Sequence, residues 1–252
     1  MRMLLECDRI SKRFGGVHAV AEVDLAIAAG QVFGLIGPNG AGKTTLVNLI
    51  SGHLRVDGGA IRFDGADVTR LAPHELTARG IARTFQGVRL FKGLSVLENV
   101  LVGRHVRMRS DALRRLWPRG VPDRLDRERA AQLLERLGLT RPHALAGGLA
   151  YGDQRRLEIA RALASEPRLL ILDEPAAGMN PAESARLRDL MRALVAEDLT
   201  IVLIEHDVRL VMDTCERVAV LNFGRKIAEG TPAEIQASAT VREAYLGAED
   251  VA

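Results

Sequence analysis

Gly37-Pro38-Asn39-Gly40-Ala41-Gly42-Lys43-Thr44, followed by Thr45, is the stretch whose reading decides the fold. It satisfies the pattern G-x-x-x-x-G-K-[ST] at every fixed position. Ahead of it, Val32 to Ile36 is a short apolar run, as a buried strand would be. Behind it, Thr44 to Ser51 reads as the start of a helix. The glycines therefore stand where a strand turns into a helix N-terminus. Backbone N–H groups point outward there, and the helix dipole favours an anion. Gly40 and Gly42 leave room for backbone to approach phosphates closely. Lys43 is expected to reach the β- and γ-phosphates of a nucleotide, and the Thr44 hydroxyl to ligate Mg²⁺. The competing reading, a chance glycine turn, does not account for the flanking strand and helix.

A second stretch completes such a site. In Leu169-Leu170-Ile171-Leu172-Asp173-Glu174, four apolar residues bury a strand and two carboxylates emerge at its end. Asp173 is expected to hold Mg²⁺ through water, and Glu174 to orient or deprotonate an attacking water. His206, in Ile204-Glu205-His206-Asp207, follows the next strand, so strand order places it beside the γ-phosphate. Gln86, in Arg83-Thr84-Phe85-Gln86, follows the strand Ile81 to Thr84 and is placed to reach the metal or the water.

Composition narrows the class. The 252 residues are 47% apolar and 27% charged, which suits a globular chain of one or two domains. Met1-Arg2-Met3-Leu4-Leu5-Glu6 meets a charge at once, so no signal peptide is expected. The longest uncharged run, Leu25 to Gly42, contains five glycines and a proline and is no membrane span. Cys7 and Cys215 show neither pairing nor metal-ligand spacing and fit a reducing cytosol. The net charge is +3, yet Arg104 to Arg129 alone holds nine arginines against four acids. That excess suits a solvated helical surface, or a face near anionic lipid or nucleic acid. Trp117 is its lone aromatic, which disfavours stacking on single-stranded bases.

Along the chain, Leu4 to Asp8, Val23 to Ile27 and Ile61 to Phe63 read as strands, the last followed by the turn Asp64-Gly65. Ser11 to Gly16 between the first two reads as a loop, and this early β-rich part is expected to wrap the phosphate loop. A helical middle follows. Ser95-Val96-Leu97-Glu98 is a capping box opening a helix through about Gly103. Ala130, Leu133, Leu134 and Leu137 fall at helical spacing before Gly138. Met108 to Asp126 reads as a variable excursion, and Gly152 to Ala164 as a helix. Strand and helix then alternate. Thr200 to Ile204, Val218 to Leu221 and Arg225 to Ala228 are strands, and Val208 to Cys215 is a helix. Asn180 and Thr231 each start a capped helix. The implied class is α/β with a mostly parallel sheet and ligand at the strand C-termini.

Taken together, these motifs resemble the ATP-binding subunit of ABC transporters over almost the whole chain. Phe14 stands where that family stacks an aromatic on adenine, Gln86 at its Q-loop and His206 at its switch histidine. Leu149-Ala150-Tyr151-Gly152-Asp153-Gln154 stands where the family usually has Leu-Ser-Gly-Gly-Gln, and Ala176 to Pro181 at its D-loop. The resemblance implies a P-loop NTPase fold with an N-terminal antiparallel β subdomain and an inserted helical subdomain. It implies one domain, 1–252, with about 1–87 and 165–252 as ATP-binding core and about 88–164 as the helical signature part. Gly37 to Thr45 and Phe14 would bind ATP, and Leu149, Ala150, Tyr151, Gly152 and Asp153 would face a partner's ATP. Thr44, Gln86 and Asp173 would hold Mg²⁺. Glu174, His206 and Gln86 would be catalytic.

The likeness is closer to the ATPases of high-affinity branched-chain amino-acid importers, through Arg83 to Phe91, Leu149 to Gly152, Asp173 to Gly178 and Ala244 to Gly247. This implies a peripheral subunit at the cytoplasmic face of the inner membrane, beneath two integral permease subunits. It also implies a second ATPase, identical or related, and an extracytoplasmic solute-binding protein. Other cargo (amides, urea, lipopolysaccharide) stays open, as does a non-transport ABC ATPase acting on nucleic acid or ribosomes, although no nucleic-acid partner is expected. Ala150, Tyr151 and Asp153 depart from the general signature, and Asn180 replaces the D-loop aspartate.

Overall fold

The structure is a computed structural model that describes residues 2–107 and 124–249. Most of the expected excursion at Met108 to Asp126 thus lies outside the described residues. Two sheets stack against each other. The first is antiparallel, in the order β2-β1-β4-β5, from β1 (Met3–Phe14), β2 (Val17–Ala28), β4 (Gly58–Phe63) and β5 (Ala66–Asp67). The second runs β10-β9-β3-β8-β7-β6. Its strands are β3 (Val32–Ile36), β6 (Ile81–Arg83), β7 (Leu169–Asp173), β8 (Thr200–Ile204), β9 (Arg217–Asn222) and β10 (Arg225–Gly230). All its pairings are parallel except the β9–β10 hairpin at its edge.

The helices are α1 (Lys43–Ile50), α2 (Pro73–Arg79), α3 (Val96–Arg104), α4 (Arg124–Arg136), α5 (Tyr151–Leu163), α6 (Pro181–Val195), α7 (Val208–Thr214), α8 (Pro232–Ala237) and α9 (Ala239–Glu249). Strand periodicity divides the core in two. Phe33, Leu35, Leu169, Ile171, Val202 and Ile204 point toward α1 and the antiparallel sheet. Their neighbours Val32, Ile36, Leu170, Leu172, Ile201 and Leu203 point the other way, toward α3 to α9. Burial on both faces is why these strands read as unbroken apolar runs. Each fully buried large side chain is worth about 1.5–3 kcal/mol.

The expected strands and capped helices lie near their expected places, with departures in β1, at the start of β2 (Val17 against Val23) and in three elements without an expectation, β5, α2 and α9. Ser11 to Phe14 is strand, not loop. β1 stays paired to its end, Phe14 opposite Val17, and turns at Gly15-Gly16. Its polar residues hid this, because register shifts between Cys7 and Arg13 interrupt the alternation on which a strand reading depends. Of the three elements without an expectation, α2 carries local signals, since Pro73 stands at its first position and Gly80 closes it at φ +102°. The capping boxes at Ser95, Asn180 and Thr231 are present.

Candidate functional site

The phosphate loop joins β3 to α1, and the chain's own backbone dictates two of its glycines. Gly37 has φ +151°, and a β-carbon there would come within 2.2 Å of the Leu221 carbonyl oxygen. Gly42 has φ +100°, and its β-carbon would meet the Ala19 carbonyl oxygen at 2.3 Å. At Gly40 the space is open. The requirement at Gly42 is thus internal, set by β2 rather than by a ligand alone. The β9–β10 turn braces the loop from the side, Gly224 N–H donating to the Ala41 carbonyl at 2.9 Å.

Lys43 is buried, and its Nζ donates to the carbonyls of Gly37 (2.6 Å) and Pro38 (3.0 Å). Burial lowers its pKa from the ordinary lysine value, while the carboxylates of Glu174 and Asp173 pull it back up. The next residues, Thr44 and Thr45, lie in the first turn of α1.

Asp173 ends β7, and its buried carboxylate accepts from Arg83 Nη2 on neighbouring β6 at 2.8 Å. The same guanidinium reaches Asn48 and Ser51 of α1's C-terminal end, at 2.6 and 3.0 Å. Glu174 follows at φ +49°, a conformation that costs about 1–3 kcal/mol for a non-glycine residue. Its N–H donates to the Ile204 carbonyl on β8 at 2.9 Å. Its carboxylate lies between two side chains: Gln86 Nε2 donates to Oε2 at 3.0 Å, and His206 Nε2 lies 2.8 Å from Oε1. Three adjacent parallel strands thus deliver Gln86, Glu174 and His206 to one point. Glu205 supports the arrangement from beneath, accepting from the N–H groups of Ala176 (2.7 Å) and His206 (3.2 Å). Burial raises the pKa of its carboxyl group.

The remaining candidates lie elsewhere. Phe14 is half exposed at the tip of the β1–β2 hairpin, with Lys12 Nζ 5.7 Å from its ring centroid. Ala150 is the N-cap of α5, with Tyr151 half exposed beside it. Leu149 packs on the core and its carbonyl accepts from Gln154, while Asp153 pairs with Arg156. Gly152 faces Glu183 of α6, where a β-carbon would sit 2.9 Å from Oε1. Among the described residues, no hydrogen bond or ion pair joins Leu149 to Asp153 with Gly37 to Thr45. Asn180 caps α6, accepting from the Glu183 N–H at 3.0 Å.

Arg83 and Glu205 escaped the sequence reading. A single charge at the end of a short apolar strand was the available signal for each. In the arginine-rich stretch, Arg104 is buried against Asp126 (2.7 Å) and Glu166 (2.9 Å). Arg107 and Arg129 also bond Glu166 or its neighbour Ser165, so these three arginines are held within the chain, while Arg124 is exposed on α4.

A phosphate loop entering a helix, with two carboxylates at the C-terminal end of a parallel strand, defines a P-loop nucleoside-triphosphatase. Residues 20–177 match the family model described as ABC transporter, and residues 225–251 that of the branched-chain amino acid ATP-binding cassette transporter. The chain is 45% identical, over 98% of each chain, to the high-affinity branched-chain amino acid transport ATP-binding protein BraF of Pseudomonas aeruginosa. It is 44% identical to LivG of Salmonella typhimurium, of the same description, over 97% of this chain and 98% of that one. The crystal structure of the ADP conformation of an ATP-binding cassette of an ABC transporter superposes with a TM-score of 0.87 at 33% identity, covering 98% of this chain and all of that one. The chain belongs to the ABC transporter family, as one of its ATP-hydrolysing cassettes. Among the described residues no helix is long and apolar enough to cross a membrane.

Proposed function

We propose that this chain powers the import of branched-chain amino acids. It sits at the cytoplasmic face of the inner membrane beneath two integral permease subunits and pairs with a second cassette, identical or related. An extracytoplasmic binding protein supplies the solute. One observation carries the catalytic part: the Glu174 carboxylate, at the end of β7, is held between Gln86 and His206. The match of residues 225–251 supports the cargo.

In this reading the backbone N–H groups of Gly37 to Thr45, Pro38 having none, cradle the phosphates of ATP, and Phe14 stacks on the adenine. Lys43 exchanges the carbonyls of Gly37 and Pro38 for phosphate oxygens. Thr44, Asp173 and Gln86 offer a hydroxyl, a carboxylate and an amide oxygen. That all-oxygen set with one carboxylate suits Mg²⁺, which binds through one or two carboxylates plus substrate phosphates. No cluster of three His, Cys, Asp or Glu side chains gathers among the described residues, which fits a cation that substrate helps to hold. When bound, Mg²⁺ neutralises charge developing on the transferred phosphoryl oxygens. Glu174 accepts the proton of the attacking water, and His206 orients Glu174 and contacts the γ-phosphate. The N-terminus of α5, with Leu149 to Asp153, faces the partner's ATP.

The test is affinity purification from gently solubilised membranes of the native host, with co-purifying proteins identified by mass spectrometry. Two polytopic membrane subunits and a cassette are expected, and the binding protein encoded beside them should bind leucine, isoleucine or valine. A binding protein selective for amides or urea would overturn the cargo alone. Ribosomes or nucleic acid in place of membrane subunits would overturn the transport reading.

A further inference from the structure

The backbone around Gln86 is gripped from α5. Arg155 donates through Nη1 to the Phe85 carbonyl at 2.8 Å and through Nη2 to the Gln86 carbonyl. Glu158, almost one turn on, accepts from the N–H groups of Phe85 (3.4 Å) and Arg89 (3.3 Å). The two side chains pair with each other at 3.3 Å, and each is only 2% exposed. Together they contact both backbone donors and acceptors of one short segment. Burial pushes the Glu158 carboxyl group up, against the opposing pull of the Arg89 N–H and the Arg155 guanidinium.

Tyr151 joins the same assembly. The Arg155 guanidinium lies over its ring, 5.5 Å from the centroid. The ring edge abuts Gly178, in the loop that follows Glu174, where a β-carbon would come within 3.2 Å of Cε1. Tyr151 stands where the general family signature has glycine, and this stacking gives it a physical role. Separating α5 from the Gln86 segment would take Arg155 and Glu158 from the carbonyls of Phe85 and Gln86 and from the N–H groups of Phe85 and Arg89. These bonds tie the position of the segment to that of α5.

We propose that Arg155 and Glu158 are positioning residues that clasp the Phe85–Arg89 segment, with Tyr151 orienting the guanidinium. The attitude of the signature helix and the placing of Gln86 on Glu174 are then set together. α5 is delivered to the partner's nucleotide only with Gln86 in register at its own site. This rests on the proposed catalytic role of Glu174.

The experiment measures steady-state ATP hydrolysis by the purified full chain and amide exchange at Phe85 and Arg89. Arg155→Met should lower kcat by about 10–100-fold through misplacement of Gln86. The KM for ATP should stay within about twofold, since Arg155 itself contacts the backbone of Phe85 and Gln86 and not the phosphate loop. Added to Gln86→Ala, it should cost less than about a further twofold, because both changes remove one shared function. Tyr151→Leu alters a half-exposed ring and keeps the buried pair, so it serves even where Arg155→Met does not fold. It should lower kcat by about two- to fivefold, the worth of one cation–π contact. That loss should vanish in the Gln86→Ala background, and exchange at Phe85 and Arg89 should quicken. Equal losses with and without Gln86, or unchanged exchange in Tyr151→Leu, would overturn the clasp. A wild-type chain without hydrolysis would overturn the catalytic reading instead, and the exchange rates would still decide whether the clasp holds the segment.

Discussion

The N-termini of α1 and α5 differ from those of the helices around them and from each other. Ser95, Asn180, Asp207 and Thr231 each accept a hydrogen bond from the first turn of α3, α6, α7 and α8. At α2, Glu75 accepts from the Ala72 N–H at 2.8 Å. Gly42 and Ala150 supply no such bond to α1 and α5. Donors at an uncapped helix start must find partners elsewhere. At α1 the chain builds a nest around them, with β2, the β9–β10 turn and Lys43 packed close. At α5 it does not: Ala150 is exposed and Tyr151 half exposed, while Arg155 of the same helix grips the Gln86 segment. The contrast teaches a division of labour. One terminus is enclosed within the chain, and under the proposed function the other is complete only against a second cassette.

The largest expected effect sharpens that contrast. Glu174→Gln should slow hydrolysis by about 100–10,000-fold, the usual worth of a general base, while ATP stays bound. With turnover stopped, ATP should convert the variant to a dimer that light scattering detects. Near wild-type hydrolysis would remove Glu174 from its role, and a monomer at saturating ATP would remove the need for α5 from a partner.

Next comes the nest at α1. Gly42→Ala must hold a left-handed backbone, costing about 1–3 kcal/mol, and must also push the Ala19 carbonyl aside. Gly40→Ala at φ +77° meets open space, so it should lose less on thermal unfolding. Equal losses would show that β2 does not shape the loop.

The smallest effect has opposite signs in two measurements. Ala150→Asp supplies the missing cap to α5 and should stabilise the chain by about 0.5–2 kcal/mol in denaturant titration. It also sets a carboxylate where the partner's phosphate is expected, so turnover should fall by roughly tenfold, or about 1.4 kcal/mol of repulsion. A gain in stability with no loss of turnover would make α5 an ordinary surface helix.

Local chemistry made much of this legible beforehand. The glycine spacing before Lys43, the apolar run before Asp173-Glu174, and the caps at Ser95, Asn180 and Thr231 each act within a few residues, so reading them needs no tertiary contact. Asn180 shows the limit of comparing letters. It departs from the D-loop aspartate, yet as an N-cap for α6 asparagine serves as well as aspartate. The hairpin through Ser11 to Phe14 failed for the complementary reason. Its strand character comes from pairing with β2 across a register shift, and no short window contains that pairing.

By itself, then, the sequence determined the glycine turn between β3 and α1 and which strand carries the carboxylates, because backbone turns and apolar runs are written locally. Only the tertiary structure decided what surrounds them. Strand order β8-β7-β6 sets His206, Glu174 and Gln86 side by side across 32 and 88 residues of sequence. The same order lends Arg83 to Asp173, and the packing of α5 over the sheet end turns Arg155 and Tyr151 from surface-helix letters into a clasp. Those neighbours are chosen by which faces of sheet and helix bury each other. That choice is made by the whole core, and no single stretch records it.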